Sequence, residues 1–257
     1  MVRLLMLVTL LGLLEPQKLD RVRHVDGDDI LSDVQSHLQS DHGYNVVASD
    51  YGAAFVDQDS LNISTAHECT HGINAELRVQ HSKKEKYNGF YLLDDNYVII
   101  KEPDINTLSI LNKVPKRLRF NIYQSTYDNT KKFWQDRPLY LFDEFIAHTT
   151  GMLYRKQKGI KIRTECPKYT LEMGIYCLFL LQEMRNSPDY DKLKDLTIWN
   201  FNRIIGAYQG EQGFKEQMSV LLNDKDCSEI KWFIKNELGG ECYNLLLEVV
   251  SGERKKD

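Results

Sequence analysis

Residues 64–74 read STAHECTHGIN, and the pair His67 and His71 restricts the backbone that can carry it. At 3.6 residues per turn a helix puts side chains four residues apart on one face and within reach of one ion, whereas on a strand they lie about 13 Å apart. Glu68 is rotated by about 100° from His67 on such a helix. That is too far round to share one ligand position, but near enough to approach a water held there. Two neutral imidazoles with a carboxylate between them is the H-E-x-x-H pattern, in which the histidines hold zinc and the glutamate is the general base. The competing reading is an ordinary helix with two polar residues on one face. A chain that uses this motif must fold so that a second element brings a further ligand to the histidines.

Catalytic zinc takes three protein ligands and keeps one position for water. A histidine six residues after His71 would be one source, but that position is Leu77. His81 lies near the expected end of the helix, and Glu76 is turned off the ligand face. The stronger candidate is Glu144 in PLYLFDEFIAHTTG, among Leu139, Leu141, Phe142, Phe145 and Ile146. A carboxylate in an apolar helical stretch is costly to bury unless it is paired or binds a metal. Asp143 is the competing acid and can equally cap that helix.

The surrounding pattern predicts an α+β chain. DGDDILSDVQSHLQSDHG reads as a helix capped by Asp28 or Asp29, with Ile30, Leu31, Val34 and Leu38 at helical spacing and Gly43 as its stop. YNVVAS and YGAAFVD, in residues 44–57, read as strands, and the polar turn QDSLNIS leads into the motif helix with Asn62 or Ser64 as N-cap. GFYLLDDNYVIIKEP (89–103) reads as a hairpin around Asp94-Asp95-Asn96. From Pro138 the pattern turns helical. YTLEMGIYCLFLLQEM (169–184) is apolar nearly all round, as a central buried helix would be, and two helical stretches follow near 196–222 and 228–250. The expectation is a two-lobed domain: an N-terminal lobe (about 21–137) with a small sheet and the motif helix, a helical C-terminal lobe (about 138–257), and the site in the cleft between them.

A chain of 257 residues can bury a sizeable core, and its net charge of −4 offers no electrostatic argument for nucleic acid or an anionic membrane. The apolar run Leu4–Leu14 after Arg3 is too short for a stable membrane span. It suits a signal peptide within residues 1–20, which favours export (periplasmic or secreted) over a cytoplasmic location, although no small-residue cleavage site precedes Glu15 and Pro16. Without a C-x-x-C, a thiolate zinc site is not expected. In an exported chain Cys166, Cys177, Cys227 and Cys242 could form up to two bridges, leaving Cys69 free.

His67-Glu68-Cys69-Thr70-His71 followed on a later helix by Glu144 resembles the gluzincin class of zinc metallopeptidases. The resemblance covers residues 62–151, and the five-residue motif is its specific part. It implies a zincin-like fold, Zn2+ as cofactor, His67, His71 and Glu144 as ligands, Glu68 as catalytic base, and a peptide or protein as substrate. In that class a small residue and an aspartate stand three and four positions after the ligand glutamate, and the aspartate orients a zinc histidine. Here Ala147 fits the first position and His148 departs from the second, so His148 is expected to bond differently or to donate to substrate.

The implied mechanism has Glu68 accept a proton as activated water attacks a polarised carbonyl, then pass it to the leaving amine. Oxyanion donors could come from His148, Tyr123, Tyr127, Tyr140 or Tyr154. An open edge on YGAAFVD could take an extended peptide. Two other classes compete. A deformylase-like amidohydrolase also carries H-E-x-x-H but takes a cysteine ligand from a preceding segment, and no cysteine precedes His67. The other is a non-catalytic metal-binding or vestigial protein.

Overall fold

The computed structural model describes residues 30–37, 58–93, 96–119, 134–160, 166–208 and 212–251. The N-terminal apolar segment, the caps and stop of the first helix, the strands expected at 44–57, and Tyr123 and Tyr127 lie outside these residues. Among the described residues the chain is mostly helical with one small antiparallel sheet, so the α+β expectation holds at that coarse level.

Helix α1 (Ile30–His37) precedes the motif helix α2 (Gln58–His81). Contrary to the sequence expectation, QDSLNIS is helical, and Asn62 and Ser64 lie inside α2 rather than capping it. The segment holds no glycine or proline, so once α2 is anchored by packing, elongation through it adds hydrogen bonds without a new nucleus. Ala66, Cys69, Ile73 and Leu77 recur at helical spacing and are buried. They form a small core with Ile30 and Val34 of α1 and with Tyr91, Leu93 and Tyr154. Each fully buried aliphatic there contributes roughly 1.5–3 kcal/mol, so this apolar face, opposite the polar motif, holds α2 in place.

The hairpin forms as expected: β1 (Tyr87–Tyr91) pairs with β2 (Tyr97–Lys101), from Tyr87 opposite Lys101 to Tyr91 opposite Tyr97. β1 lies so close to α2 that a Cβ on Gly89 would sit 2.2 Å from Leu77 Cβ. Only a glycine admits that approach. Helix α3 (Thr107–Lys113) follows, capped by the Asn106 side chain accepting from Leu108 N.

Helix α4 (Tyr140–Gln157) starts just after Pro138, where the sequence predicts it. Its N-cap residue Leu139 has no side-chain cap. Instead Leu139 N donates to Glu102 Oε1 at 3.0 Å, so a distant carboxylate satisfies one of the orphan donors of the first turn. Helix α5 (Cys166–Glu183) is buried on nearly every side from Leu171 to Leu181, which confirms its central place. Of the two later stretches, the first contains α6 (Tyr190–Tyr208) and α7 (Gln212–Asn223), with 209–211 outside the described residues, and the second comprises α8 (Ser228–Phe233), a wide turn at Ile234–Leu238 and α9 (Gly240–Ser251). The second stretch breaks at Gly239, whose φ of 97° suits glycine and ends a helix.

One apolar core contains Phe90, Ile100, Ile110 and Val114 from before Pro138 together with Phe142, Leu178 and Ile204 from after it. Among the described side chains Cys69, Cys177 and Cys227 are buried free thiols, so of the two bridges open to the C-terminal cysteines of an exported chain, none involves Cys177 or Cys227. Burial pushes Cys69 and Cys227 up to about 11, so both stay protonated and inert. Among the described residues no helix is long and apolar enough to cross a membrane.

Candidate metal centre

His67, His71, Asn74 and Arg78 follow one another at intervals of four, three and four residues, which puts all four on a single stripe of α2. That stripe faces α4. The helices approach closely at Gly151, where a Cβ would stand 3.2 Å from Ile63 O and 3.6 Å from His67 Cβ. The crossing brings Asp143, Glu144 and His148 of α4 against the stripe.

The ligand-type atoms converge. His67 Nε2 and His71 Nε2 are 3.1 Å apart. Glu144 Oε2 lies 3.9 Å from the first and 3.5 Å from the second. A tetrahedral ion with bonds of about 2.1 Å separates its ligand atoms by about 3.4 Å, and these three separations bracket that value. Two imidazole nitrogens at 3.1 Å also need a proton or a cation between them, because their lone pairs otherwise repel. The donor set thus fits a divalent transition metal. Each of these side chains keeps about a fifth of its surface open, 17%, 22% and 21% for His67, His71 and Glu144, so the group can be reached from solvent.

The rings are held from behind. His71 Nδ1 donates to Asp143 Oδ1 at 3.0 Å, which leaves Nε2 pointing at the cluster. Asp143 also accepts from Asn74 Nδ2 at 2.7 Å and from Arg78 Nη2 at 3.1 Å. Asn74 Oδ1 accepts from Tyr91 N at 2.7 Å, and Arg78 donates to Asn88 Oδ1 at 2.9 Å and to the Tyr140 hydroxyl at 3.0 Å. Asn88 in turn donates to Glu102. The hairpin, α2 and the start of α4 are therefore bound into one polar network whose centre is the carboxylate that orients His71. The His67 ring bonds to the backbone of Ala147, an interaction that favours its protonated form and so has the ring as donor.

Charge follows from this arrangement. Burial, with repulsion from His148 and His71, holds His67 well below the ordinary histidine range. Burial also opposes a charge on His71, yet the carboxylates of Asp143 and Glu144 together outweigh it and hold that ring well above the range. For Asp143 and Glu144 burial works against ionisation, and the His71 charge and hydrogen bond prevail, so both lie below the usual carboxylate values. The charged form of His71 is thus the favoured one, with Asp143 at its Nδ1 and Glu144 near its Nε2.

The structure brings the sequence-predicted residues together as follows. Glu68 Oε1 is 4.0 Å from His67 Nε2. His148 Nε2 is 3.7 Å from Glu144 Oε2, and its ring centroid is 4.5 Å from that of His67. His67, Glu144 and His148 form a group whose ligand atoms all lie within 4.8 Å of one another. Asp143 does not cap α4; its carboxylate is spent on His71, Asn74 and Arg78. The orienting carboxylate accordingly precedes Glu144 by one residue instead of following it by four, where His148 stands. Tyr140 is held by Arg78 and Arg137, and Tyr154 is buried in the small core, so neither joins the cluster. Sequence reasoning missed Asn74 and Arg78. Their signal was the stripe itself, continued past His71 at helical spacing.

Comparison with family models, with curated proteins and with solved structures returns no match.

Proposed function

We propose that this chain is a zinc-dependent hydrolase that cleaves amide bonds in peptides, a gluzincin-like peptidase in which His67, His71 and Glu144 hold the ion and Glu68 is the general base. The observation that carries this reading is the convergence of two Nε2 atoms and one Oε2 atom at 3.1, 3.5 and 3.9 Å, with a carboxylate behind His71. Zinc at such a site supplies a Lewis acid and brings the pKa of a coordinated water to about 7. Glu68 has its Oε1 4.0 Å from His67 Nε2 and keeps 24% of its side chain exposed, so it can accept the proton of an attacking water. It then returns that proton to the leaving amine nitrogen. Asp143 keeps Nδ1 of His71 protonated, so Nε2 is the ring atom that would hold the ion, as a neutral imidazole nitrogen.

Measuring metal in full-length protein purified without chelator, then screening a peptide library by mass spectrometry, tests the proposal. We expect about one zinc per chain and cleavage that chelator abolishes. Protein that takes up no zinc, or that binds zinc and cleaves nothing in the library while remaining folded, would count against it. The second of these outcomes is the alternative reading, a non-catalytic metal-binding protein. His148, whose Nε2 lies 3.7 Å from Glu144 Oε2, adds a further donor-type side chain beside the ligand set that either reading has to account for.

A further inference from the structure

Helix α4 offers Glu144 and His148 four residues apart, the same spacing that puts His67 and His71 on one face of α2. At the α2–α4 crossing these two pairs face each other. Glu144 Oε2 has His71 Nε2 at 3.5 Å, His148 Nε2 at 3.7 Å and His67 Nε2 at 3.9 Å. Three imidazoles therefore surround one carboxylate oxygen at nearly equal distance, each close to the separation of about 3.4 Å between neighbouring ligands of a tetrahedral ion.

On these grounds we propose that His148 is a fourth ligand, so that the ion is held by three imidazoles and one carboxylate contributed in pairs by two crossing helices. This rests on the zinc reading above and extends it. The His148 ring packs edge-on against the His67 ring, and its side chain keeps 26% exposure. Among the described residues nothing hydrogen-bonds to the ring, which leaves its nitrogens available. Four protein donors remain compatible with hydrolysis, because zinc expands to five-coordinate in the transition state.

The discriminating measurement is X-ray absorption at the zinc edge on the full-length protein loaded with Zn2+, together with zinc affinity by competition with a chromophoric chelator. The expected first shell is three imidazoles and one carboxylate oxygen in the wild type, falling to two imidazoles in His148→Gln, with zinc affinity weakened about tenfold or more. A wild-type shell of two imidazoles overturns the assignment without recourse to any variant. So does a folded His148→Gln protein that binds zinc as the wild type does, including the case where only its turnover falls and His148 acts on substrate. His71→Ala and Glu144→Ala serve as references. If they release zinc and His148→Gln does not, only the fourth ligand is wrong; if none of the three alters zinc binding, the underlying zinc reading fails with it.

Discussion

Asp143 and His71 meet through a 3.0 Å hydrogen bond from the ring Nδ1 to the carboxylate Oδ1, while the residue after Asp143 approaches the other ring nitrogen. Consecutive residues on a helix diverge by about 100°. Asp143 and Glu144 therefore grip opposite nitrogens of one imidazole, one as orienter and the other as ligand-type neighbour. Two adjacent acids do here what widely spaced acids on a longer helical segment can also do.

Removing that orienter should weaken the site without emptying it. In Asp143→Asn the His71 tautomer is no longer imposed, and Arg78 loses its carboxylate partner. Zinc affinity should drop by about 10–100-fold. Thermal or urea unfolding of the metal-free protein should show a loss of about 2 kcal/mol, the usual scale for a hydrogen-bonded charged group deprived of its partner. Unchanged zinc affinity in the variant would show that Asp143 has no part in the site.

Glu144→Ala should lose most bound zinc, because one of the anchors disappears while the histidines stay. Metal analysis after dialysis against a weak chelator reads this directly. Full stoichiometry with wild-type affinity would remove Glu144 from the ligand set.

Glu68→Gln separates holding the ion from using it. The amide keeps the size of the side chain but cannot accept a proton. Zinc content and unfolding midpoint should match the wild type while kcat on a cleaved peptide falls by about 100-fold or more. A variant that turns over normally with zinc bound would exclude Glu68 as the base.

Zinc and a proton compete at His71, whose pKa is raised by Asp143 and Glu144 against the effect of burial. Zinc affinity should thus climb as pH rises from 6.5, with proton release on binding, until His71 deprotonates unaided. The sign for the metal-free fold is opposite. A raised folded-state value means that the stabilisation from His71 is fully present below pH 6.5, the unfolded-state value, and is lost as pH rises through the folded-state value. Calorimetric zinc titrations in two buffers of different ionisation enthalpy, and unfolding midpoints of wild type and His71→Gln across pH 6–9, test both halves. An affinity that does not change between pH 6.5 and 8 contradicts the competition.

Gly89→Ala tests how tightly the hairpin presses on the motif helix. Its Cβ would stand 2.2 Å from Leu77 Cβ, too close for any adjustment of a side-chain tip. The strand has to shift, at a cost of about 1–3 kcal/mol. The same displacement pulls on the Tyr91–Asn74 bond and so on Asp143. Unfolding curves should show the loss, and a wild-type midpoint would mean that β1 and α2 are less closely packed than this.

Local pattern by itself determined the motif helix, the hairpin, the start of α4 near Pro138 and the buried α5, because each is set by spacing along a few turns or one strand pair. It also singled out His67 and His71 by their i,i+4 spacing with Glu68 between them, and Glu144 as an acid in an apolar helical stretch, whereas His148 was marked only by the gluzincin resemblance, as a departure from it. Local pattern misjudged the start of α2, where packing decides how far a helix runs, and passed over the break at Gly239, whose positive φ ends a helix. Only the tertiary structure decided what Asp143 does. In sequence it was an acid in a first helical turn, fit for capping; once α4 crosses α2 at Gly151, it lies opposite His71, Asn74 and Arg78, and those donors outweigh any use at its own helix end. The crossing likewise set His148 against His67 and Glu144, because how closely two helices approach depends on which residues of both meet at the contact, here Gly151 against Ile63 and His67.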